Sequence, residues 1–425
     1  MENLFEILDA GVSPFHCVDH AVKNLKDKGF EELDYGKFWQ LVPGGKYVLA
    51  HHGTTLFAFT IGKDYEKGDM IRLAGAHTDY PNLRLKPHAD FMTKSYAQVN
   101  VEVYGGAILS TWMDRPLGLA GRVMVRSKDL FAPKAILYRS KRPLLVIPNL
   151  AIHMNRAVNE GVELNRQVDM MPILDSLPGE MRTTDYFLSF LAEELDVKKE
   201  DILDFELGTF EMQGPCYVGA RNTMVSSPRI DNQTSCAALL SAIEDGERAD
   251  GINLIALFDN EEVGSKGKQG AGSTMLLNLL RRILVNLGHD LESAEADMYR
   301  GMLLSLDVAH ALHPNKQGKM DITNQPVLGR GFCIKEACSQ SYATDAEAIS
   351  ILRQICDQEG IPYQHFVNRS DMKGGGTIGS IISSVLPVPT VDMGVPQLAM
   401  HSARELMSEA DQDALTAAVT AFFKA

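Results

Sequence analysis

The chain has 425 residues, of which 45% are hydrophobic and 23% are charged. This length predicts two or three domains, or one domain with a large insertion, and the composition excludes collagen-like and disordered proteins. The 41 Lys and Arg against 55 Asp and Glu give a net charge of −14, so we expect neither nucleic acid nor an anionic membrane as a partner. We also expect no membrane span and no signal peptide. The six scattered cysteines contain no CxxC pair and indicate a reducing, cytoplasmic setting.

The first ninety residues predict a helix followed by apolar strands. We expect the helix over 18–28, and the apolar run over 70–76 predicts a strand. His77, Thr78 and Asp79 follow that strand at once. An imidazole and a carboxylate are therefore expected at its carboxyl end.

The middle of the chain has a different pattern. Over 91–127, short alternating stretches (AQVNVEVYGG, AILSTWMD, GLAGRVMV) are interrupted by glycine, which predicts β-hairpins. Helix-like segments are expected over 151–160 and 184–195. The region is therefore predicted to form a small β-rich unit.

After residue 226 the α/β pattern returns. Apolar runs over 253–258, 302–306 and 389–393 predict buried strands that alternate with helical segments. Near the end of the chain, Ser408 is expected to cap a helix with one apolar face, formed by Leu415, Ala418, Val419, Phe422 and Phe423. Buried strands separated by helices indicate a mixed or parallel sheet with helices on both faces.

The predicted architecture is therefore an α/β domain with an inserted domain. Residues 1–90 and 226–425 are expected to form the mixed-sheet α/β domain. Residues 91–225 are expected to form the β-rich insertion. The sequence shows no internal repeat.

Acidic and histidine residues follow the predicted apolar strands at five places. These are His77-x-Asp79, Asp231, the pair Glu261-Glu262, Asp307 and His401. In open α/β sheets, ligands bind at the carboxyl ends of the strands. Carboxylates gathered at one edge would repel one another unless a cation lay among them. Carboxylates with imidazoles and no thiolate suit Zn²⁺, Mn²⁺ or Co²⁺ in a catalytic site, and two such ions would share a bridging carboxylate.

Two neighbours within this set predict roles beyond metal binding. In the pair Glu261-Glu262, one carboxylate can bind a metal while the other moves the proton of a bound water. Asp79 lies two residues from His77 and can accept the imidazole N–H, which would hold the ring in the metal-binding tautomer.

The chain carries a series of motifs that resembles one known family. The segments AHTDYPNLRLKP, SPRIDN, FDNEEVGS, GAGS, DVAHALHPN and QLAMHSARE occur in this order, and NLAIHMNR and VDMMPIL match in the middle region. Together they are similar to the M18 metallopeptidases, the aspartyl aminopeptidase family. The resemblance extends over nearly the whole chain.

The resemblance implies an activity, a cofactor and an assembly. It implies a zinc peptidase domain with an inserted β-rich dimerisation domain, and removal of an N-terminal Asp or Glu from peptides with a free amino group. Two Zn²⁺ ions per subunit are implied, with Mn²⁺ or Co²⁺ possible replacements. The family assembles into a tetrahedral homododecamer built from dimers.

The resemblance also implies individual residue roles. The expected ligands of the two ions are His77, Asp231 and Asp307 for one, and Asp231, Glu262 and His401 for the other. Glu261 would be the general acid/base for a hydroxide shared by the ions, and Asp79 would support His77. The expected substrate-binding residues are His153, His310, Lys335 and Tyr342, with His153 reaching the active site of a neighbouring subunit.

Two departures from the family pattern leave the side-chain preference open. After Arg369 the sequence reads SDMKGGGTIGSI, where typical members carry a Cys-Gly-Ser/Thr version, and Tyr80 replaces a small residue. Lys335 is the family-matched cation for an acidic side chain, and Lys373 is a second candidate. An M18 aminopeptidase that prefers neutral residues, a two-metal deacylase of N-acyl amino acids and a non-enzymatic scaffold are the alternatives. The scaffold is disfavoured because every expected ligand and Glu261 are present.

Overall fold

The computed structural model describes residues 2–177 and 185–425. The strands, numbered along the chain, are β1 (Glu31–Glu32), β2 (Lys46–His51), β3 (Thr55–Ile61), β4 (Ile71–His77), β5 (Asn82–Thr93), β6 (Tyr96–Tyr104), β7 (Leu117–Val125), β8 (Lys134–Arg139), β9 (Ile173–Ser176), β10 (Ile202–Glu211), β11 (Cys216–Val218), β12 (Met224–Ser227), β13 (Ile252–Phe258), β14 (Met302–Leu306), β15 (Ala309–His310), β16 (Phe332–Glu336), β17 (Tyr363–Val367), β18 (Thr390–Gly394), β19 (Pro396–Leu398) and β20 (Glu405–Ser408). The α-helices are α1 (Glu2–Ala10), α2 (Pro14–Asp27), α3 (Tyr186–Leu195), α4 (Ile230–Asp245), α5 (Met275–Asn286), α6 (Leu291–Tyr299), α7 (Ala346–Glu359), α8 (Ile378–Val385) and α9 (Glu409–Lys424).

The chain divides into two compact units. The α/β unit comprises Met1–Asp79, Pro215–Met400 and Glu405–Ala425, and the β-rich unit comprises Tyr80–Gly214 and His401–Arg404. Both divisions fall earlier in the chain than the expected boundaries at residues 90 and 226. The reason is that β5 begins directly after the HTD motif and β10 ends before residue 215.

The α/β unit is built on a mixed sheet that has nine strands among the described residues, in the order β1-β2-β3-β13-β4-β14-β18-β16-β17. At its centre β13, β4, β14 and β18 run parallel, whereas β3 and β16 pair antiparallel with β13 and β18. The carboxyl ends of the four parallel strands therefore meet at one edge of the sheet. That edge is where the acidic motifs of the sequence lie.

Alternating side chains of the sheet pack into two separate hydrophobic clusters. Along β3, Leu56 and Ala58 pack with helices α4 and α9, whereas Phe57 and Phe59 pack with α5 and α8. Successive side chains of a strand point to opposite faces, so both faces are covered by helices. This arrangement confirms the predicted fold class and explains why the strands read as continuous apolar runs.

The β-rich unit contains an antiparallel sheet, six-stranded within the described ranges, in the order β8-β7-β10-β5-β6-β9. The four-residue segment His401–Arg404 groups with this unit through its own hydrogen bonds. The backbone N–H of Ala403 donates to Thr111 Oγ1 (2.9 Å), and Arg404 Nη1 donates to Glu211 Oε2 (3.1 Å). A separate small sheet in the α/β unit has the order β11-β12-β20-β19-β15.

Most predicted elements are present. The expected helix over 18–28 lies within α2 apart from its last residue, and the expected strands over 70–76 and 302–306 correspond to β4 and β14. Ser408 occupies the position before α9, although its hydroxyl donates to Thr223 O (3.3 Å) and does not cap the helix. The five apolar residues predicted for one face of α9 are all buried.

Two predictions in the middle region were wrong. The stretch AILSTWMD forms a 3₁₀ turn over Leu109–Trp112 in place of a hairpin strand, and only Trp112 of that turn is buried. The expected helix over 151–160 is a series of turns with one 3₁₀ turn over Val158–Glu160. Its residues are mostly exposed, so it has no apolar face that could stabilise a helix by packing. The helix expected from residue 184 is α3, and Thr184 itself lies outside the described residues.

No helix within the described ranges is long and apolar enough to span a membrane.

Candidate metal centre

The centre lies at the carboxyl edge of the parallel strands. His77 is the last residue of β4 and pairs in register with Phe258, the last residue of β13. Three residues beyond Phe258, Glu261 and Glu262 form a 3₁₀ turn, and Asp307 directly follows β14. Parallel pairing thus brings together residues that are far apart in sequence, as the strand-end pattern predicted.

The donor atoms of these residues lie close together. His77 Nε2 is 3.4 Å from Asp231 Oδ1 and 3.7 Å from Asp307 Oδ1. One donor atom each from His77, Asp231 and Asp307 lies within 4.8 Å of the others, and the same holds for His77 with Glu261 and Glu262. We call these five residues the acidic cluster.

Burial and like charge dominate the electrostatics of the acidic cluster. His77 is 1% exposed and Asp231 is 3% exposed. Burial by itself lowers the pKa of His77, but its hydrogen bonds to carboxylates outweigh burial and raise that pKa well above its ordinary value. Burial raises the pKa of Glu261 to about 8; the imidazole of His77 opposes the rise and neighbouring carboxylates add to it. The cluster therefore has an excess of negative charge that a cation would relieve.

Asp79 contacts both His77 and the turn that carries Glu261 and Glu262. Its backbone oxygen lies 3.1 Å from His77 Nδ1, and its Oδ1 lies 3.4 Å from the same nitrogen. Its carboxylate also accepts the backbone N–H groups of Glu261 (3.1 Å) and Glu262 (3.2 Å). Asp79 therefore orients the imidazole and also fixes the turn that carries both glutamates. The second of these contacts was not predicted from the sequence.

Asp231 lies at the irregular start of α4. Its backbone has φ −76° and ψ 105°, outside the helical range, and its peptide bond to Asn232 is cis. Its backbone N–H donates to Glu405 Oε2 (3.0 Å), and Gln397 Nε2 donates to the other oxygen of Glu405 (3.3 Å). Glu405 was missed by the sequence analysis, although it ends the quoted motif QLAMHSARE and is 3% exposed.

Lys335 is buried beside Asp307. Its Nζ donates to the backbone oxygens of Val308 (3.0 Å) and Asp307 (3.3 Å), and it lies 3.5 Å from Asp307 Oδ2. It also lies 4.8 Å from the centre of the Tyr342 ring. Burial lowers the pKa of Lys335, but the carboxylates around it, Asp307 first, raise it above its ordinary value, so the side chain is a fixed cation.

A second buried carboxylate lies beside Lys335 on the neighbouring strand. Asp392 on β18 is the register partner of Lys335 and is fully buried. It accepts hydrogen bonds from Thr377 Oγ1 (2.5 Å) and the backbone N–H of Ala343 (2.6 Å). It therefore connects the segment next to Tyr342 to Thr377, which ends the glycine-rich loop over residues 373–377. Burial raises the pKa of Asp392, and Lys335 opposes the rise.

The other histidines among the predicted site residues are His310, His153 and His401. His310 is exposed on β15, and its ring lies 5.8 Å from that of Phe366, which in turn lies 6.3 Å from Tyr342. His153 is exposed in a turn of the β-rich unit. His401 lies in the turn between β19 and β20 with φ 66°, and its Nδ1 lies 3.2 Å from Gly106 O. Their roles stay predictions.

The residues of the acidic cluster suit a borderline divalent ion. The imidazole of His77 is buried with the carboxylates of Asp231 and Asp307, and Glu261 and Glu262 are partly buried. The nearby thiol of Cys236 donates to the backbone oxygen of His77 (3.1 Å). Carboxylate and imidazole donors without thiolate fit catalytic Zn²⁺, Mn²⁺ or Co²⁺. The cluster can therefore hold metal, and Glu261 can move a proton next to it.

Comparisons with known proteins agree with this chemistry. The family model described as aminopeptidase I zinc metalloprotease (M18) matches residues 7–423. A protein of Clostridium novyi (strain NT), named probable M18 family aminopeptidase 2, is 43% identical over 404 residues, which cover 95% of this chain and 93% of that protein.

Solved structures show the same fold. A chain in the cryo-EM structure of the Ape4 and Nbr1 complex is 32% identical, with a TM-score of 0.95, and the match covers 100% of this chain and 85% of that one. The S. cerevisiae mApe1 dodecamer is 25% identical, with a TM-score of 0.85 and coverage of 100% and 96%. From the family model and the relative in C. novyi, the chain belongs to the M18 family and is a metal-dependent aminopeptidase.

Proposed function

We propose that the chain is a two-metal aminopeptidase that removes an N-terminal Asp or Glu from peptides. The observation that carries the two-metal proposal is the acidic cluster, in which Glu261 and Glu262 lie beside buried His77 within 4.8 Å between donor atoms. The acidic preference rests on the motif resemblance and on Lys335, the family-matched cation.

The proposed ligand sets share one carboxylate. His77, Asp231 and Asp307 would hold one ion, and Asp231, Glu262 and His401 would hold the other. Zn²⁺ is the first choice, with Mn²⁺ or Co²⁺ as replacements that suit the same donors. When bound, such ions lower the pKa of a water molecule and polarise the carbonyl of the substrate.

The proton steps belong to Glu261. Its carboxylate takes a proton from the attacking water and returns that proton to the leaving amine. The pKa of about 8 that burial gives Glu261 suits a group that both accepts and donates a proton near neutral pH. Asp79 acts on the reaction through others, because it orients His77 and holds the backbone of the turn that carries Glu261.

Substrate binding is proposed for His310, Lys335, Tyr342 and His153. Lys335 and Tyr342 lie together, with Nζ 4.8 Å from the ring centre, and Lys335 also contacts Asp307. If Lys335 recognises the substrate carboxylate, replacing it with Ala lowers the rate on Asp amides more than on Leu amides. An equal loss on both amides makes Lys335 a residue that only positions Asp307.

An M18 aminopeptidase with a neutral preference is the second candidate, and two observations favour it. Lys335 Nζ already contacts two backbone oxygens and one carboxylate. Tyr80, which replaces a small residue of the family motif, is 4% exposed, with its hydroxyl 3.5 Å from Thr209 O. Both observations leave less free positive charge and less space for an acidic side chain than the family motif implies.

We also propose a homododecamer of tetrahedral shape in a reducing cytoplasm. The S. cerevisiae mApe1 structure that this chain resembles is a dodecamer. In such an assembly the β-rich unit would form the dimer contact and carry His153 to a neighbouring active site. Sedimentation that shows a fully active monomer would refute this part. The reducing compartment is proposed from the six scattered cysteines, which contain no CxxC pair.

The activity is tested with initial rates on Asp, Glu, Leu and N-acetyl-Asp chromogenic amides, with and without a chelator. We expect chelator-sensitive cleavage of the Asp and Glu amides, with the acetylated amide inert. A preference for Leu keeps the metal-dependent reaction and replaces the acidic preference with the neutral one. Cleavage of only the acetylated amide refutes the aminopeptidase and indicates a deacylase.

A further inference from the structure

A cavity of about 320 Å³ in the α/β unit has a charge opposite to that of the chain as a whole. Four basic side chains and one acidic side chain are found among the described residues that line it, although the chain carries a net charge of −14. The basic ones are Lys316, Lys319, Arg369 and Lys373. We call this cavity the basic pocket.

Two of the five charged side chains, Arg369 and Asp321, already form polar contacts within the chain. Arg369 forms a bidentate ion pair with Asp371, with N–O distances of 2.6 and 3.1 Å. The carboxylate of Asp321 accepts hydrogen bonds from the backbone of Thr323 and Asn324. Arg369 is neutralised by its ion pair, whereas Asp321 keeps its negative charge, so three lysines against one carboxylate leave a surplus of positive charge in the lining.

The surplus is carried by three lysines. Lys316, Lys319 and Lys373 are exposed, and within residues 2–177 and 185–425 none of the three forms an ion pair shorter than 4.0 Å. Three ammonium groups around one cavity attract anions, since like charges concentrated in a concave surface add their fields. The pocket thus has room and charge for more than one carboxylate.

One wall of the pocket connects directly to the acidic cluster. His310 lines the pocket and lies three residues after Asp307, so their Cα atoms are at most about 11 Å apart. Gln397 lines the same wall, pairs in register with His310, and donates to Glu405, which accepts the N–H of Asp231. An extended peptide advances about 3.4 Å per residue, so a peptide held at the cluster reaches this wall within three residues.

We propose that the basic pocket binds acidic side chains of the substrate peptide that lie downstream of the cleaved bond, at its second and third residues. This inference rests on the proposed function, because the position of the cleaved bond sets the register of the peptide. The pocket thereby gives the enzyme a preference for acidic N-terminal segments, in addition to any preference for the first residue. Lys316, Lys319 and Lys373 are the residues that set it.

The kinetic test varies only the downstream residues. Peptides with the sequences Asp-Glu-Glu-Ala and Asp-Gln-Gln-Ala share a first residue and a shape, and differ in two charges. We expect the Glu-Glu peptide to have a KM lower by roughly three- to tenfold, with kcat unchanged, as for a few exposed ion pairs. The double variant Lys319→Glu, Lys373→Glu should abolish this difference. The control Lys63→Glu reverses an exposed lysine outside the pocket and should retain it.

A binding measurement separates this inference from the proposed function. The metal-loaded Glu261→Gln variant is titrated with each peptide carrying a C-terminal fluorescein, and fluorescence anisotropy reports binding. Tighter binding of the Glu-Glu peptide that is lost in the double variant supports the pocket even if no peptide is cleaved. Cleavage of the Asp amides with equal binding of the two peptides keeps the proposed function and overturns the inference.

Two further outcomes would also overturn it. If the control variant loses the preference as well, the effect comes from net charge and not from the pocket. If changing only the first residue from Asp to Ala removes the contribution of the pocket lysines, the pocket holds the N-terminal side chain. A difference in KM that depends on Lys319 and Lys373 and on the downstream residues supports the proposal.

Discussion

The acidic cluster and the basic pocket lie in the same unit and contrast in burial and support. In the cluster, His77 and Asp231 are at most 3% exposed, and Asp79 and Glu405 hold them through hydrogen bonds to side chain and backbone. In the basic pocket, the lysines are exposed and stand on loops. The side chains of the cluster thus have a fixed geometry, whereas the lysines of the pocket attract anions over a longer range.

This difference predicts how each region responds to change. A buried ionic site responds strongly to the loss of one charge, because the remaining charges have no water to compensate them. Each exposed lysine contributes only part of the electrostatic attraction for an anion. Replacing one of them should therefore weaken anion binding only partly.

The largest effect is expected from Glu261→Gln. The amide removes the proton acceptor while keeping the size of the side chain, so kcat should fall by about 10²- to 10⁴-fold. Metal content measured by mass spectrometry should stay unchanged, because Glu262 and not Glu261 is the proposed ligand. The exposed Glu66→Gln serves as the control. A normal rate in Glu261→Gln would remove Glu261 from the mechanism.

Four of the five cluster residues were predictable from the sequence because they follow apolar strands, whereas Asp231 lies at the irregular start of α4. Apolar runs locate β4, β13 and β14, and the polar residues that follow them must meet once the strands run parallel. The support of the cluster was only half predictable. The contact of Asp79 with His77 follows from their spacing, whereas its contact with the backbone of Glu261 depends on a turn that forms only in the folded chain.

The basic pocket could not be predicted, because its members lie on segments without periodicity. Lys316 and Lys319 follow β15, while Lys373 lies in the glycine-rich loop before α8, and no pattern in the sequence relates these two loops. The sequence singled out Lys373 alone, as one candidate for the first residue of the substrate. Exposed loops also misled the secondary-structure prediction over 151–160, where no buried face selects a conformation.

Substituting one lysine near the cluster and one in the pocket compares how much each contributes to the free energy of unfolding. Lys335 is 2% exposed and faces buried Asp392, so Lys335→Met should lower the free energy of unfolding by about 3–5 kcal/mol. Lys373 is exposed and unpaired among the described residues, so Lys373→Met should change it by less than about 0.5 kcal/mol. Urea unfolding of the metal-loaded proteins measures both. Combining Lys335→Met with Asp392→Asn should recover part of the loss, and equal effects of the two single variants would contradict the contrast.

A smaller effect is expected from Asp79→Asn. The amide cannot accept both glutamate N–H groups and the imidazole N–H as the carboxylate does, so the metal affinity should fall by about 10- to 100-fold. Competition with a chelator of known affinity measures it. The exposed Asp64→Asn should bind metal normally. Unchanged affinity in Asp79→Asn would mean that the turn and the imidazole are positioned without this carboxylate.

The smallest effect is expected from salt, and it distinguishes the two regions in the unmodified enzyme. The Debye length falls from about 10 Å at 0.1 M to about 3 Å at 1 M, which screens exposed charges far more than buried ones. The KM advantage of the Glu-Glu peptide should therefore shrink to less than about twofold in 1 M NaCl. The kcat should change little, because His77, Asp231 and Asp307 of the acidic cluster are buried. If kcat and the KM advantage fell together, salt would be acting on the metal centre. If the KM advantage persisted in 1 M NaCl, the acidic side chains would be bound at a buried site and not by the exposed lysines.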